Sequence, residues 1–388
     1  MIIYNAKILP MDPDRSMPFS IDCGYAVIEN GIIAEVCAGD PENISPDDIN
    51  AGGHILMPGM IDAHTHMGII GSGEGEEGDD VNEFTDPVTP HLRAMDGVNG
   101  MDPYFADALR TGVTAVVTGC GSTNPIGGDM ILMKTAGRRV DDMLIKRAAI
   151  KFALGENPKG CYSDRDESPV TRMATAAAIR EALKKAQRYM QDTENAEEDE
   201  LPEFDAKSEA LIPLLKGGIS AHFHCHRIDD IFTAMRICRE FSLPHLLIHC
   251  SEGHLAADIL GNEHENAVLG PIICDRGKPE LRNISLENAA KLYKNGVNVA
   301  ICTDHPEVPI DYLPMSAAMC VKHGLPYEEG LRAVTSNPAA MLGMSGKIGS
   351  IVKGAAADMV IMSGDPLDIM TDALCVISDG RVVYKKEN

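Results

Sequence analysis

The chain has 388 residues and a formal net charge of −24, with 44% hydrophobic and 24% charged residues. Such a composition belongs to a globular chain with a large core and excludes a disordered one. The negative potential repels phosphates and anionic lipid, and with no Trp and only 4% aromatic residues the chain has no stacking platform, so nucleic acid and membrane surfaces are excluded as partners.

Residues 1–20 interrupt their apolar positions with Asn5, Lys7, Asp12, Asp14 and Arg15, which leaves no secretory core. No apolar run reaches the roughly 18 residues of a spanning helix. The eleven Cys are odd in number and lack a CxxC pair, which argues against a disulfide framework and for a reducing, cytoplasmic setting. Cys120, Cys238, Cys302 and Cys320 sit in apolar runs and read as small buried hydrophobes.

Residues 1–57 read as β structure: MIIYNAKIL is followed by GYAVIENGIIAEVC, with a hairpin turn at Glu29-Asn30-Gly31. The C-terminal residues 346–388 repeat that texture in ADMVIM, CVISDG and RVVY, with a second hairpin at Asp379-Gly380. Neither end can bury a core alone, so the two are expected to pair into one composite β-sandwich. Between them, residues 58–345 alternate short apolar runs with amphipathic helices such as TRMATAAAIREALKKAQRYM, the pattern of βα units. Seven strands are predicted in HILMPGMIDAHTH, GVTAVVTGC, AAIKFALGE, GISAHFHCH, HLLIHC, GPIIC and VNVAICTD. DMILMKT reads either as the eighth or as a surface hairpin. The fold class is therefore a (β/α)8 barrel, which takes about 250 residues. The acidic piece QDTENAEEDELPEFD reads as a solvated loop.

In chain order, the first chemical signal is PGMIDAHTHM, whose apolar run ends in His64 and His66. Alternate strand residues share a face, so both imidazoles project together where a barrel assembles its active site, and neutral imidazole binds Zn²⁺ and related ions. GSGEGEEG contains a G-x-G-x-x-G pattern from Gly73 to Gly78, but its glutamates would repel a pyrophosphate; it reads as a mobile acidic loop over the mouth of the barrel. Asn124 to Gly128 follows another strand end, where its backbone could meet substrate. AIKFALGENP offers Lys151 and Glu156 as candidate bridging groups. AHFHCHR sets His222, His224 and His226 at period two. His222 lies deeper and reads as a hydrogen-bonded interior histidine. HLLIHC ends at His249, while His245 starts that strand and reads as structural. VNVAICTDHP ends in Asp304, a fixed carboxylate able to hold a cation and to accept a proton from an activated water.

Pro58 to Met67 resembles the first-strand motif of the amidohydrolase superfamily, and TSNPAAMLGMSGKIGSIVKGAAADMVIMSGDPL resembles the stretch those enzymes place between barrel and returning β strands. HCHRIDDIFTAMRICREF followed by IHCSEGH is most similar to the relatives of imidazolonepropionase and the metal-dependent prolyl dipeptidases. The resemblance implies His64, His66, His224, His249 and Asp304 as metal ligands, with His226 placed to contact substrate and Asp304 as general base. It also implies a bridge between two ions, either Glu156 or a carbamylated Lys151, because an anion with two oxygens can hold two cations. Glu156 stands before Asn157-Pro158, as in the glutamate subgroup, and is the favoured bridge; Lys151, in the apolar run where burial favours the neutral amine that carbamylation needs, is the alternative.

The implied activity is hydrolysis of a C–N bond in a small amide, cyclic amide or dipeptide-like substrate with one or two divalent ions, Zn²⁺ above all. Asp304, His249 and His226 would carry the catalysis. The alternatives are a single-metal deaminase and a catalytically silent scaffold. Oligomeric state is not encoded in these motifs, and a homo-oligomer is compatible with them.

Overall fold

The computed structural model describes residues 1–197 and 199–387. The two chain ends meet in one sheet. Its strands are β1 (Ile2–Ile8), β2 (Ile21–Glu29), β3 (Ile32–Ala38), β4 (Ile49–Asn50), β5 (Ile55–Pro58) and, from the far end of the chain, β14 (Met359–Met362), β15 (Ala373–Ser378) and β16 (Arg381–Lys385). Their order is β16-β15-β14-β5-β1-β2-β3, with β4 beside β1. The join is the antiparallel pairing of β5 with β14, Met359 opposite Pro58 and Met362 opposite Ile55. Rather than two separate facing sheets, one sheet curls until Ile32 bridges Ala356, enclosing Ile3, Ile8, Ile28, Ile33, Leu56, Met359 and Ile377. Both expected hairpin turns form, with Asn30 and Gly31 at φ 51° and 80° and Asp379 and Gly380 at φ 47° and 72°.

The barrel runs from β6 (Met60–Thr65) through β7 (Val113–Gly119), β8 (Ile126–Lys134), β9 (Leu144–Ala153), β10 (Ser220–Cys225), β11 (His245–His249) and β12 (Asn266–Leu269) to β13 (Asn298–Ile301). The run expected as a single strand over HILMPGMIDAHTH is two. It breaks at Gly59, where a Cβ would fall 2.0 Å from Thr114 Oγ1, so only glycine lets the chain pass from the small sheet into the barrel. DMILMKT does lie in the eighth strand. Every residue of β8 is buried, so it is no surface hairpin, but it runs antiparallel to both β7 and β9. The predicted strand GPIIC is displaced. The seventh barrel strand is Asn266–Leu269, just before it, because Pro271 has no N–H for a ladder bond and the chain beyond it turns out to the rim, where Cys274 is exposed. The long helix Arg172–Asn195 is capped by the Thr171 side chain, which accepts from Ala174 N–H. It also takes in the first five residues of the expected acidic loop, in which Glu198 lies outside the described residues. No helix among the described residues is long and apolar enough to cross a membrane.

At the N-terminal end of β11, His245 donates from Nε2 to Glu265 at 2.8 Å and from Nδ1 to the Leu243 carbonyl at 3.2 Å. Both partners accept, so the ring is an imidazolium. Burial opposes that charge, but Cys238 and Glu265 outweigh it and raise the pKa from 6.5 to about 10. A folded-state pKa above the unfolded one stabilises the fold fully below pH 6.5, and the contribution is lost as pH rises toward about 10. The melting temperature should accordingly fall more steeply between pH 7 and 10 in the wild type than in His245→Gln. Parallel melting curves for the two proteins would exclude this ion pair as a source of stability.

Candidate functional site

The site forms at the C-terminal rim, where the first and last barrel strands are stitched together. Asp304 N–H donates to His64 O at 3.2 Å and His66 N–H to His305 O at 2.8 Å. Beneath them Asp62, missed in the sequence, accepts from Thr303 N–H and Oγ1 and from His64 N–H at 3.0, 2.6 and 3.1 Å. Its complete burial lifts the Asp62 carboxyl to about 7. These links bring His64, His66 and Asp304 together across about 240 residues of chain: their ligand atoms all lie within 4.8 Å of one another. A second set of the same compactness is His224, His226 and His249. The sets adjoin, with the rings of His64 and His249 centred 5.5 Å apart.

Ring orientation is fixed by hydrogen bonds to groups behind the rim. His66 Nδ1–H donates to Gly119 O at 2.8 Å and His249 Nδ1–H to Gly270 O at 2.6 Å. A carbonyl only accepts, so both rings carry the proton on Nδ1 and present a lone pair on Nε2. His226 Nδ1 is held by Ser251 Oγ at 2.8 Å. Burial keeps the second set neutral: it drives His224 and His249 well below the ordinary value and His226 to about 4. Burial and the adjacent Lys151 lower His64 likewise. At Asp304 burial pushes the carboxyl up, but His249, His66 and Lys151 outweigh it and hold it at about 2. His249, the last residue of β11, and Asp304, three residues beyond β13, are also in the left-handed region, at φ 71° and 55°. Strain of this kind is concentrated at functional sites.

These donors fit a cation. Two donors about 2.0–2.2 Å from one tetrahedral ion lie about 3.3–3.6 Å apart. Asp304 Oδ1 stands 3.4 Å from His66 Nε2 and 3.6 Å from His64 Nε2, too long for strong hydrogen bonds, and it is buried without a hydrogen-bond partner. Neutral nitrogens and a lone carboxylate suit Zn²⁺ and related ions.

The two bridge candidates part company. Lys151, fully buried on β9, places Nζ 2.8 Å from His64 Nε2. Burial lowers its pKa to about 8. Glu156 is in neither set. Gly155, at φ 90°, turns the chain out of the strand and Glu156 starts a short helix, where its carboxylate accepts from Glu280 N–H at 3.3 Å. His222 pairs in register with Lys151. It is interior as expected but not hydrogen-bonded, since neither ring nitrogen has a partner. Glu280 is a further residue the sequence did not signal: 1% exposed, it lies 3.6 Å from His226 Nε2 and 3.8 Å from His224 Nε2.

The two sets face a cavity of about 460 Å³. Lys278 is the one Lys or Arg on its wall among the described residues, beside Asn157, Ser122 and Asn82. The acidic loop of residues 71–78 does not line it with its glutamates; Ile70 and Val81 do. That loop is tied down by Ser72 N–H donating to Asp102 at 2.7 Å. Nor does Asn124 reach the cavity, being bonded to Glu83 O, Thr89 and Tyr162. Gly121, Ser122 and Thr123, just before it, form that wall.

The sequence model of the amidohydrolase family matches residues 55–384. The amidohydrolase tasK of Hapsidospora irregularis is 30% identical over 93% of this chain, and the chain spans 40% of that protein's length. An imidazolonepropionase of Thermoplasma acidophilum is 24% identical, covering 93% of this chain and 89% of its own. A solved amidohydrolase from Thermotoga maritima superposes with a TM-score of 0.93 at 37% identity, covering 99% of this chain and all of the other.

Proposed function

The chain belongs to the amidohydrolase family, and from that premise we propose that it hydrolyses an amide, cyclic amide or dipeptide-like small molecule at a pair of divalent ions. It is a hydrolase of C–N bonds, and its family is metal-dependent. The observation that carries the finer reading is the convergence of two compact ligand sets, His64/His66/Asp304 and His224/His226/His249, at one rim. Zn²⁺ is the ion we assign, on the nitrogen-rich donors. Lys151 rather than Glu156 is the group we place between the sets, because it is the one whose side chain stands against His64.

A bound divalent ion supplies Lewis acidity, which raises the acidity of water and polarises a carbonyl. The chain does the rest. Asp304, anionic at neutral pH, accepts the proton of the attacking water as the O–C bond forms, then returns it to the nitrogen as the C–N bond breaks, so amine and carboxylate leave with atoms balanced. His226, whose Nδ1 is tied to Ser251, is counted with the second ligand set rather than as the group against the acyl oxygen. Asn157, Ser122 and Lys278 orient the rest of the substrate. The size of the cavity suits a small molecule, and the charge of −24 keeps nucleic acid and anionic membrane away. Eleven unpaired cysteines accord with a reducing cytoplasm.

A panel of dipeptides, N-acyl amino acids, cyclic amides and amino-substituted heterocycles tests the reading. Product analysis should show amide cleavage and no ammonia from the heterocycles. Ammonia release without amide cleavage, from protein holding one Zn²⁺ per chain, would replace it with the deaminase reading.

A further inference from the structure

We propose that Glu280 is the carboxylate donor of the His224/His226/His249 set, the counterpart of Asp304 in the other. The inference rests on the two-ion reading above. Glu280 lies in the short 3-10 turn Pro279–Leu281 beyond β12 and belongs to none of the strand ends that supply the other ligands, yet it is 1% exposed. One carboxylate oxygen is anchored: Oε2 accepts from Glu156 N–H at 3.1 Å, while Glu280 N–H donates back to the Glu156 carboxylate at 3.3 Å. This reciprocal clasp fastens the loop after β12 to the start of the helix after β9.

Room for the carboxylate is built in, because a Cβ on residue 155 would come within 2.6 Å of Oε2 and that residue is Gly155. The other oxygen, Oε1, is buried with no hydrogen-bond partner. It faces His226 Nε2 at 3.6 Å and His224 Nε2 at 3.8 Å, beyond hydrogen-bonding distance but close to the spacing of donors around one ion, and similar to that of Asp304 from His64 and His66. A buried carboxylate oxygen without a partner is costly, and a cation removes the cost. Charge balance points the same way: two divalent ions bring four positive charges to a dry rim, and Asp304 with one bridging anion meets half of them.

The test is Zn²⁺ titration of chelator-stripped protein by calorimetry, with elemental analysis of the reloaded samples. Wild type should take two ions per chain. Glu280→Gln keeps an acceptor for Glu156 N–H, so the clasp survives, and it should lose at least tenfold in affinity for one ion, since removing even an outer partner of a ligand costs about 10–100-fold. If the glutamine variant does not fold, Glu280→Asp, which keeps the charge and shortens the reach, carries the same expectation. A wild type that takes a single ion indifferent to the substitution overturns the assignment together with the two-ion reading; two ions bound within twofold of wild type in the variant overturn the assignment and leave the catalytic reading standing. A wild-type protein that takes up no Zn²⁺ overturns both.

Discussion

Replacing Asp304 by Asn should lower kcat by about 10²–10⁴-fold on whichever amide substrate proves best, the range expected for loss of a positioned proton acceptor. The variant isolates the chemistry because it leaves the backbone alone. Asp304 sits at φ 55°, a left-handed conformation that Asn tolerates better than other residues. Its N–H bond to His64 O is a main-chain contact and survives. What is lost is a negative charge 3.4 and 3.6 Å from the His66 and His64 nitrogens and the ability to carry a proton between water and the leaving amine. Turnover should collapse and Zn²⁺ content should fall, while the melting temperature of the metal-stripped variant should match that of metal-stripped wild type. Turnover within tenfold of wild type would remove Asp304 from the chemistry.

A second large loss is expected for Lys151→Ala: at least 100-fold in activity, with one of two ions released. The argument is again local. Lys151 is 0% exposed, with Nζ at His64 Nε2, and an unmodified amine there can neither neutralise nor join two cations. Burial, which lowers its pKa to about 8 from 10.5, raises the neutral fraction at pH 7 by about two to three orders of magnitude. The neutral amine is the form that adds CO₂: an N–C bond forms, one N–H proton leaves, and a two-oxygen anion results. Reconstitution of stripped wild type with Zn²⁺ should therefore require bicarbonate and quicken as pH rises through about 8. Short carboxylic acids should partly restore the alanine variant by filling the gap. Equal reconstitution with and without CO₂, together with an active Lys151→Ala, would return the bridge to some other group.

Much of this site was legible in the sequence because strand ends are. Period-two alternation places His64 with His66 and His224 with His226 without any structure, and an apolar run that stops at a polar residue marks the rim at His249 and Asp304. What escaped depends on contacts no periodicity encodes. Glu280 stands in the polar stretch DRGKPELRN, which reads as solvated loop until the fold lays it over His224 and His226. Between Lys151 and Glu156, five residues apart, the sequence favours Glu156, whereas Gly155 turns the chain between them and Lys151 is the one that stands against His64. The seventh strand was misplaced because Ala267 to Leu269 is a short apolar run with Glu263, His264 and Glu265 ahead of it, while the more apolar PIIC behind it cannot begin a ladder at proline. The direction of β8 was equally hidden, since a fully buried run looks the same in parallel and antiparallel pairing.

That reversed strand alters the order in which the molecule can be put together. Pairs between β7, β8 and β9 are neighbours in sequence, so this third of the wall closes through short connections at small entropic cost. Val113 to Ala153 can thus zip as a meander while half the chain is still unmade. The last barrel strand, by contrast, must find the first across some 240 positions. On that order Lys151 is placed before Asp304, and the ligand pocket is completed only at the final closure of the ring.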